Sequence, residues 1–276
     1  MLSLMYITND PAVALIAEKN GVDRIWIDLE TLGKEERQKN MNTVKSRHTV
    51  QDVAAMSRVL KKSELQVRIN PWNENSVSEI ESVIAAGADR IMLPMWKTEK
   101  EVEQFLRTVN NRVHTTLLLE TKEAVTCLDG VLENPLIDEL HIGLNDLHLS
   151  YGLTFMFELL SNGLVEKLCQ KCKDKGIAYG FGGIARIGEG SLPAERVIME
   201  HYRLGSTRAI LSRTFCNAEQ IGDIAQIEEI FSQNMQKLRA YQQTLPAMTP
   251  EQYRENRHMV KKSVEEIVMK IKEARQ

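Results

Sequence analysis

The chain has 276 residues, 43% of them hydrophobic, with a formal net charge of −3 and a pI of about 6.1. That is enough apolar material for a sizeable core, in one large α/β domain or two small ones. No basic block stands out, which argues against a nucleic-acid partner, and no apolar run approaches the ~20 residues that a membrane span needs. The four cysteines, Cys127, Cys169, Cys172 and Cys216, are too few and too scattered for a disulfide framework. Cys169 and Cys172 have metal-pair spacing. They sit in a helical pattern, EKLCQKCKDKG, with no second pair to complete a zinc site, and read as ordinary helix residues. The N-terminus has no basic region before its apolar residues and does not read as a signal peptide. A cytoplasmic, reducing location is expected.

Short β-rich runs alternate with helical patterns along the chain. Strands are expected at 2–7, 23–28, 65–69, 89–95, 117–119, 137–143, 177–181 and 206–211. Helices are expected at 11–20, 49–61, 76–86, 98–109, 122–132, 163–175, 193–204 and 218–242. A long polar segment, 30–47, follows the second strand. Strand–helix alternation implies a parallel sheet. Eight units over residues 1–244 fit an α/β fold of the closed (β/α)8 kind, a TIM barrel, whose usual size is about 250 residues. An open doubly wound sheet is the alternative, but its early Gly-rich turn is absent. Gly180-Phe-Gly-Gly-Ile-Ala185 only loosely resembles that fingerprint and comes late. Arg68, Pro94, Glu120 and Asp146 are spaced 26 residues apart, which predicts similar heights on successive strands, at the C-terminal rim where barrels place their chemistry.

Residues 245–276 stand apart as a helical extension. Thr249, Pro250 and Gln252 form a start signal with a capping box. Met259, Val260, Val264, Ile267, Val268 and Ile271 form an apolar stripe that must pack on something. Either it closes the bottom of its own barrel or it contacts a second subunit.

Two strands end at or near acids: Leu117-Leu118-Leu119 at Glu120, and 137–143 three residues short of Asp146. An ionised carboxylate resists burial without a partner. Adjacent parallel strands lie ~4.8 Å apart, so both acids can reach one ion. With no His or Cys at zinc-ligand spacing, a hard cation, Mg²⁺ or Mn²⁺, is favoured over zinc. The plain alternative is a pair of helix caps or a solvated rim. Arg68 stands in a strand, where its fork can meet a carboxylate, a keto oxygen or a phosphate. Alternatively it pairs structurally with Glu120 or Glu30. Gly143-Leu-Asn145-Asp146 reads as a turn whose Gly lets backbone approach a ligand and whose N–H groups can receive a carboxylate. Asp28 and Glu30 end the second strand. Either can pair with Arg68 or orient a metal-bound water. Arg47-His48 lies in the following loop, and His48 has the pKa for proton transfer near neutrality. The 180–190 loop, with Arg186, is expected to bind phosphate, act as a lid or merely connect.

WIDLE (26–30), VRINP (67–71), AGADRIMLP (86–94), LLLET (117–121) and HIGLNDLHLSYG (141–152) together resemble one family. It is the metal-dependent HpcH/HpaI aldolase and citrate lyase β-subunit-like family of 2-oxo-acid lyases. The resemblance implies a (β/α)8 barrel holding Mg²⁺ or Mn²⁺ through Glu120 and Asp146. It implies a carbon–carbon lyase (aldehyde-lyase or oxo-acid-lyase) that passes through a pyruvate or oxaloacetate enolate. Arg68 would hold the keto oxygen, and backbone at Gly143, Asn145 and Asp146 the carboxylate. An aldehyde or acyl partner would complete the substrate pair. It also implies a homo-oligomer, a dimer-based trimer or hexamer, built through the C-terminal helix. The chain departs from the pattern in two ways. The pyruvate aldolases usually carry a His after the DLE strand end and an Asp two residues before the Gly of the AGA segment; here those positions are Thr31 and Ala85. Glu30, His48 or a metal-bound water are then the candidates for proton transfer. In the citrate-lyase branch a Lys usually follows LP, where this chain has Met95. An acyl-CoA lyase or thioesterase on the same barrel, and a non-catalytic 2-oxo-acid-binding homologue, are the rival functions.

Overall fold

Eight short runs, apolar on their outward faces, form parallel strands that close on themselves in the computed structural model, with β8 pairing back to β1. The structure describes residues 1–33 and 48–275. The strands are β1 (Ser3–Ile7), β2 (Arg24–Asp28), β3 (Glu64–Arg68), β4 (Arg90–Leu93), β5 (His114–Leu119), β6 (Glu139–Ile142), β7 (Ala178–Ile184) and β8 (Arg208–Leu211). Helices α1 (Pro11–Lys19), α2 (Val50–Val59), α3 (Ser76–Ala85), α4 (Glu99–Val109) and α5 (Lys122–Val131) follow the first five strands. After β6 come α6 (Leu144–Ser150), α7 (Glu158–Ser161) and α8 (Leu164–Asp174). α9 (Ala194–Leu204) follows β7. α10 (Ala218–Ile221), α11 (Ile224–Thr244) and α12 (Pro250–Glu273) follow β8. The expected (β/α)8 barrel with an extra C-terminal helix is therefore the fold.

Local chemistry accounts for the helix starts. Asp10 caps α1 through the N–H groups of Ala12 and Val13, with Pro11 in the first turn. Thr49, Thr98 and Thr249 each close a capping box. The expected helix over 218–242 is broken, because Gly222 turns at φ +69° and Asp223 caps a new helix. Cys169 and Cys172 are buried in α8 as free thiols, as ordinary helix residues should be. No helix among the described residues is long and apolar enough to cross a membrane.

The expected 26-residue register does not hold. The ladder pairs Arg68 with Met92, Met92 with Thr116 and Thr116 with Glu139, so each strand step is shorter than that. Pro94 and Glu120 lie past the ends of β4 and β5, and Asp146 lies in the first turn of α6. The spacing climbs toward the C-terminal rim instead of circling it at one height.

Side chains alternate across each strand, and the inward ones stack in layers. At the bottom, Arg24 reaches Glu139 (2.8 and 3.2 Å), Glu64 (2.7 Å) and Gln66 (3.0 Å). Arg90 joins Glu64 (3.0 Å), and Arg208 pairs with Glu139. Trp26, Met92 and Leu118 form an apolar layer above them, flanked by Ile7 and Ile210. Asp28, Arg68 and Glu120 come next, at the rim.

The C-terminal extension packs on its own chain. α12 packs along α7 and α9 of its own chain, burying Val260 and Val264. Asn256 Nδ2 donates to Glu200 Oε1 (3.0 Å) and to the carbonyl of Arg196 (3.1 Å).

Burial alone would raise the Glu139 carboxyl, but Arg24, with Arg90 and Arg208, outweighs it and lowers it from 4.5 to about 2. A depressed carboxylate stabilises the fold above its unfolded pKa and loses that contribution as pH falls through the folded one. Glu139→Gln, which removes the buried carboxylate shared by Arg24 and Arg208 and leaves Arg24 only Glu64, should cost about 3–5 kcal/mol in urea unfolding at pH 7. The gap between wild type and variant should close as pH drops from 4.5 toward 2.

Candidate active site

β2 and β3 end together, pairing Asp28 with Arg68. Both side chains point inward above Trp26, since they follow the inward positions Trp26 and Gln66 by two residues. Arg68 grips Asp28 with a two-pronged fork, Nε to Oδ1 at 2.9 Å and Nη2 to Oδ2 at 2.8 Å. Nη2 also lies 3.2 Å from Glu30 Oε2. The guanidinium sits over the Trp26 ring, 5.1 Å from its centroid, within cation–π range. Burial disfavours the Arg68 charge, but Asp28, Glu30 and Glu120 outweigh it and hold the side chain protonated, far above its ordinary range. The Arg68 fork is thus committed to Asp28 and Glu30, of the alternatives that the strand position left open.

Glu120, one residue past β5, is 3% exposed. Its Oε1 accepts from the Met95 backbone N–H at 3.1 Å. Met95 has φ +53°, a left-handed conformation that costs a non-glycine residue roughly 1–2 kcal/mol. That strain turns the amide toward the carboxylate. Burial pushes the Glu120 carboxyl well above the usual range, with Asp146 adding to the rise and Glu30 reinforcing it, against the lowering effect of Arg68. Asp146 is the third residue of α6, and Gly143 its N-cap. The expected turn at Gly143–Asp146 is therefore the entry to a helix.

Gly143 has a more specific reason than approach to a ligand. A Cβ there would fall 2.9 Å from Glu120 Oε2 and 3.0 Å from Glu120 Cβ. The glycine makes room for the buried acid.

His48 lies at the same rim, against the end of β2. Its Nδ1 accepts the backbone N–H of Asp28 at 3.0 Å. A backbone N–H only donates, so the neutral ring keeps its proton on Nε2. The imidazole caps the last peptide of β2. Arg47 lies outside the described residues. Arg186 stays at the surface, paired with Glu189 at 2.5 Å.

The structure thus brings Glu30, Arg68, Glu120 and Asp146 into one electrostatic cluster, with Asp28 as an added member. Trp26 as the floor and Met95 as the donor to Glu120 were missed in the sequence. Trp26 carried a signal in its inward parity on β2; Met95 carried none, because backbone conformation decides its role.

Carboxylate oxygens are the donor type that a hard divalent cation takes. Asp28, Glu30 and Glu120 act on one guanidinium, and Glu120 is pushed toward neutrality by burial, with Asp146 and Glu30 adding to the rise. Among the described residues no group of three or more His, Cys, Asp or Glu side chains is placed to hold a metal ion. Mg²⁺ needs only one or two protein carboxylates, the remaining sites going to water and substrate. Gly143→Ala should displace the Glu120 carboxylate and cost about 1–3 kcal/mol by overpacking, read as a lower midpoint in thermal unfolding and a shifted side chain in a crystal structure. An unmoved Glu120 would contradict the close packing at Gly143.

The family model for HpcH/HpaI aldolase/citrate lyase matches residues 2–181. No curated protein matches the sequence significantly. Among solved structures, an HpcH/HpaI aldolase from Desulfitobacterium hafniense DCB-2 superposes with a TM-score of 0.63 at 15% identity, covering 83% of this chain and 93% of that one. An HpcH/HpaI aldolase/citrate lyase family protein from Burkholderia cenocepacia J2315 gives a TM-score of 0.60 at 15% identity, covering 82% and 94%. Macrophomate synthase gives 0.57 at 18% identity, covering 84% and 85%. These structures share the barrel, and the sequence match carries the kinship: the chain belongs to the HpcH/HpaI aldolase/citrate lyase family.

Proposed function

We propose that this chain is a metal-dependent carbon–carbon lyase of the class II aldolase type, acting on a 2-oxo acid through its enolate. Membership of an aldolase and lyase family supports the reaction class. The observation that carries the reading is the buried excess of carboxylates around one immobilised guanidinium, with Glu120 held well above the usual range.

Glu120 and Asp146 would hold Mg²⁺ or Mn²⁺. When bound, such an ion supplies Lewis-acid polarisation of a carbonyl. The chain's own residues do the rest. Arg68, fixed by Asp28 and Glu30, presents a permanent positive charge beside the oxygen on which negative charge develops. A charge already oriented needs no reorganisation during the reaction, and such preorganisation is the large term in this kind of catalysis. Gly143, Asn145 and Asp146 are the backbone positions assigned to the substrate carboxylate. We assign proton transfer to Glu30, beside Arg68. Four free cysteines suit a cytoplasmic setting. Met269 on α12, 60% exposed, leaves part of that helix open for the proposed contact between subunits.

One observation favours a second reading. His48 is used as a strand cap, and Thr31 and Ala85 bear no proton-transfer group. A homologue that binds a 2-oxo acid without turning it over would also retain the acidic cluster.

Proton exchange separates the two. With Mn²⁺ or Mg²⁺, the methyl protons of pyruvate should exchange with D₂O in an NMR assay. EDTA should abolish the exchange, and Glu120→Ala should slow it by about 100-fold or more, the scale of removing one preorganised stabilising group. Exchange that survives both treatments would overturn the lyase assignment. Binding without exchange would favour the second reading.

A further inference from the structure

We propose that Asn70, oriented by Glu79, is a positioning residue that fixes Glu30 against Arg68, an inference that deepens the lyase reading and rests on it for its catalytic consequence. Arg68 is the last residue of β3 and Asn70 lies two residues on. Glu30 lies two residues past the end of β2, and Thr31 follows it. The last ladder bond at this point runs from Leu29 N to the Arg68 carbonyl at 2.9 Å. Beyond Leu29 the two segments leave the sheet, so the Arg68–Glu30 ion pair needs another restraint.

Asn70 supplies it. Its Oδ1 accepts from Thr31 N at 2.9 Å, from Leu32 N at 3.0 Å and from Thr31 Oγ1 at 3.2 Å. Its Nδ2 donates to Glu79 Oε1 at 2.8 Å. Its backbone N–H reaches the same carboxylate at 3.2 and 3.3 Å. Glu79 is on α3, so three segments converge on one side chain.

The chemistry allows a single orientation. An ionised carboxylate only accepts, and the two backbone N–H groups only donate. Only with its NH₂ toward Glu79 and its oxygen toward the loop does the amide satisfy all of them. The carboxylate of Glu79 thus acts at a distance, by choosing which end of Asn70 faces Thr31. Asp28 Oδ1 accepts the Glu30 N–H at 3.2 Å and completes the loop from the other side. Glu30 is therefore held from before by Asp28 and from after by Asn70.

Polarity reversal tests this. Asn70→Asp keeps the size but turns two carboxylates toward each other. Glu79→Gln, added to it, supplies an amide donor at position 79 and restores a complementary pair. Three readouts apply to wild type, Asn70→Asp and the double variant. Hydrogen exchange at the Thr31 and Leu32 amides reports the staple itself. The Arg68 Nε–H resonance in ¹⁵N-labelled protein reports the Asp28–Arg68–Glu30 cluster without any substrate. Metal-dependent methyl exchange of pyruvate reports catalysis.

The expected result is a loss of amide protection of tenfold or more and a displaced Arg68 resonance in Asn70→Asp. Methyl exchange should slow at least tenfold, with the circular dichroism spectrum unchanged. The double variant should return all three to within about threefold of wild type. If the amides lose protection while the Arg68 resonance stays put, the positioning role is overturned and the staple is merely structural. Unchanged amide protection overturns the staple. If wild type itself exchanges no methyl protons, the lyase reading falls, while the amides and the Arg68 resonance still decide the positioning role.

Discussion

One guanidinium, that of Arg68, stands among the buried acids Asp28, Glu30 and Glu120, with Asp146 close enough to Glu120 to press its carboxyl upward. Burying like charges together is costly unless a partner arrives or a proton is taken up. The rim of this barrel accepts that cost, and the packing is arranged to keep it. Met95 bends into a left-handed conformation to donate to Glu120, and Gly143 gives up its side chain to make space for the same acid. Asn70 and Glu79 restrain the loop that brings Glu30 in. Each of these features disfavours the local chain and favours the cluster, which is the pattern expected where a fold stores strain for a function.

The same kinds of residue at the other end of the barrel behave in the opposite way. Glu139 is as buried as Glu120, yet it is lowered to about 2 because Arg24, Arg90 and Arg208 surround it. Glu120 is raised, first by burial and then by Asp146 and Glu30, because the single Arg68 charge does not offset them. Between the two layers lie Trp26, Met92 and Leu118, an apolar partition that separates a compensated ionic network from an uncompensated one. The bottom layer reads as stability and the rim as chemistry, in keeping with how parallel barrels divide these tasks.

Much of this was legible in the sequence. The eight alternations were, because each strand is a short apolar run and half of the described helices carry a capping side chain at their start, such as Thr49, Thr98 and Thr249. The acids Glu120 and Asp146, and Arg68 opposite them, were visible as charges at the ends of hydrophobic strands. Other features depend on contacts that the sequence does not encode locally. α6 begins directly at Gly143, with no loop to announce it. The 26-residue spacing of Arg68, Pro94, Glu120 and Asp146 suggested a shared height, whereas the ladder steps are shorter. His48 offered the right pKa for a proton carrier, but a single backbone N–H from Asp28 decides which nitrogen is occupied. The stripe on α12 had to pack somewhere, and only the assembled barrel shows that α7 and α9 receive it.

The account stands on the acidic cluster being a cation site that serves a 2-oxo acid. A crystal soaked with Mn²⁺ and pyruvate tests it most directly. The account predicts an anomalous peak at Glu120 and Asp146, with pyruvate bound in the same site and its keto oxygen beside Arg68. Manganese at full occupancy elsewhere, or pyruvate bound away from Arg68 with the cluster unchanged, would contradict it.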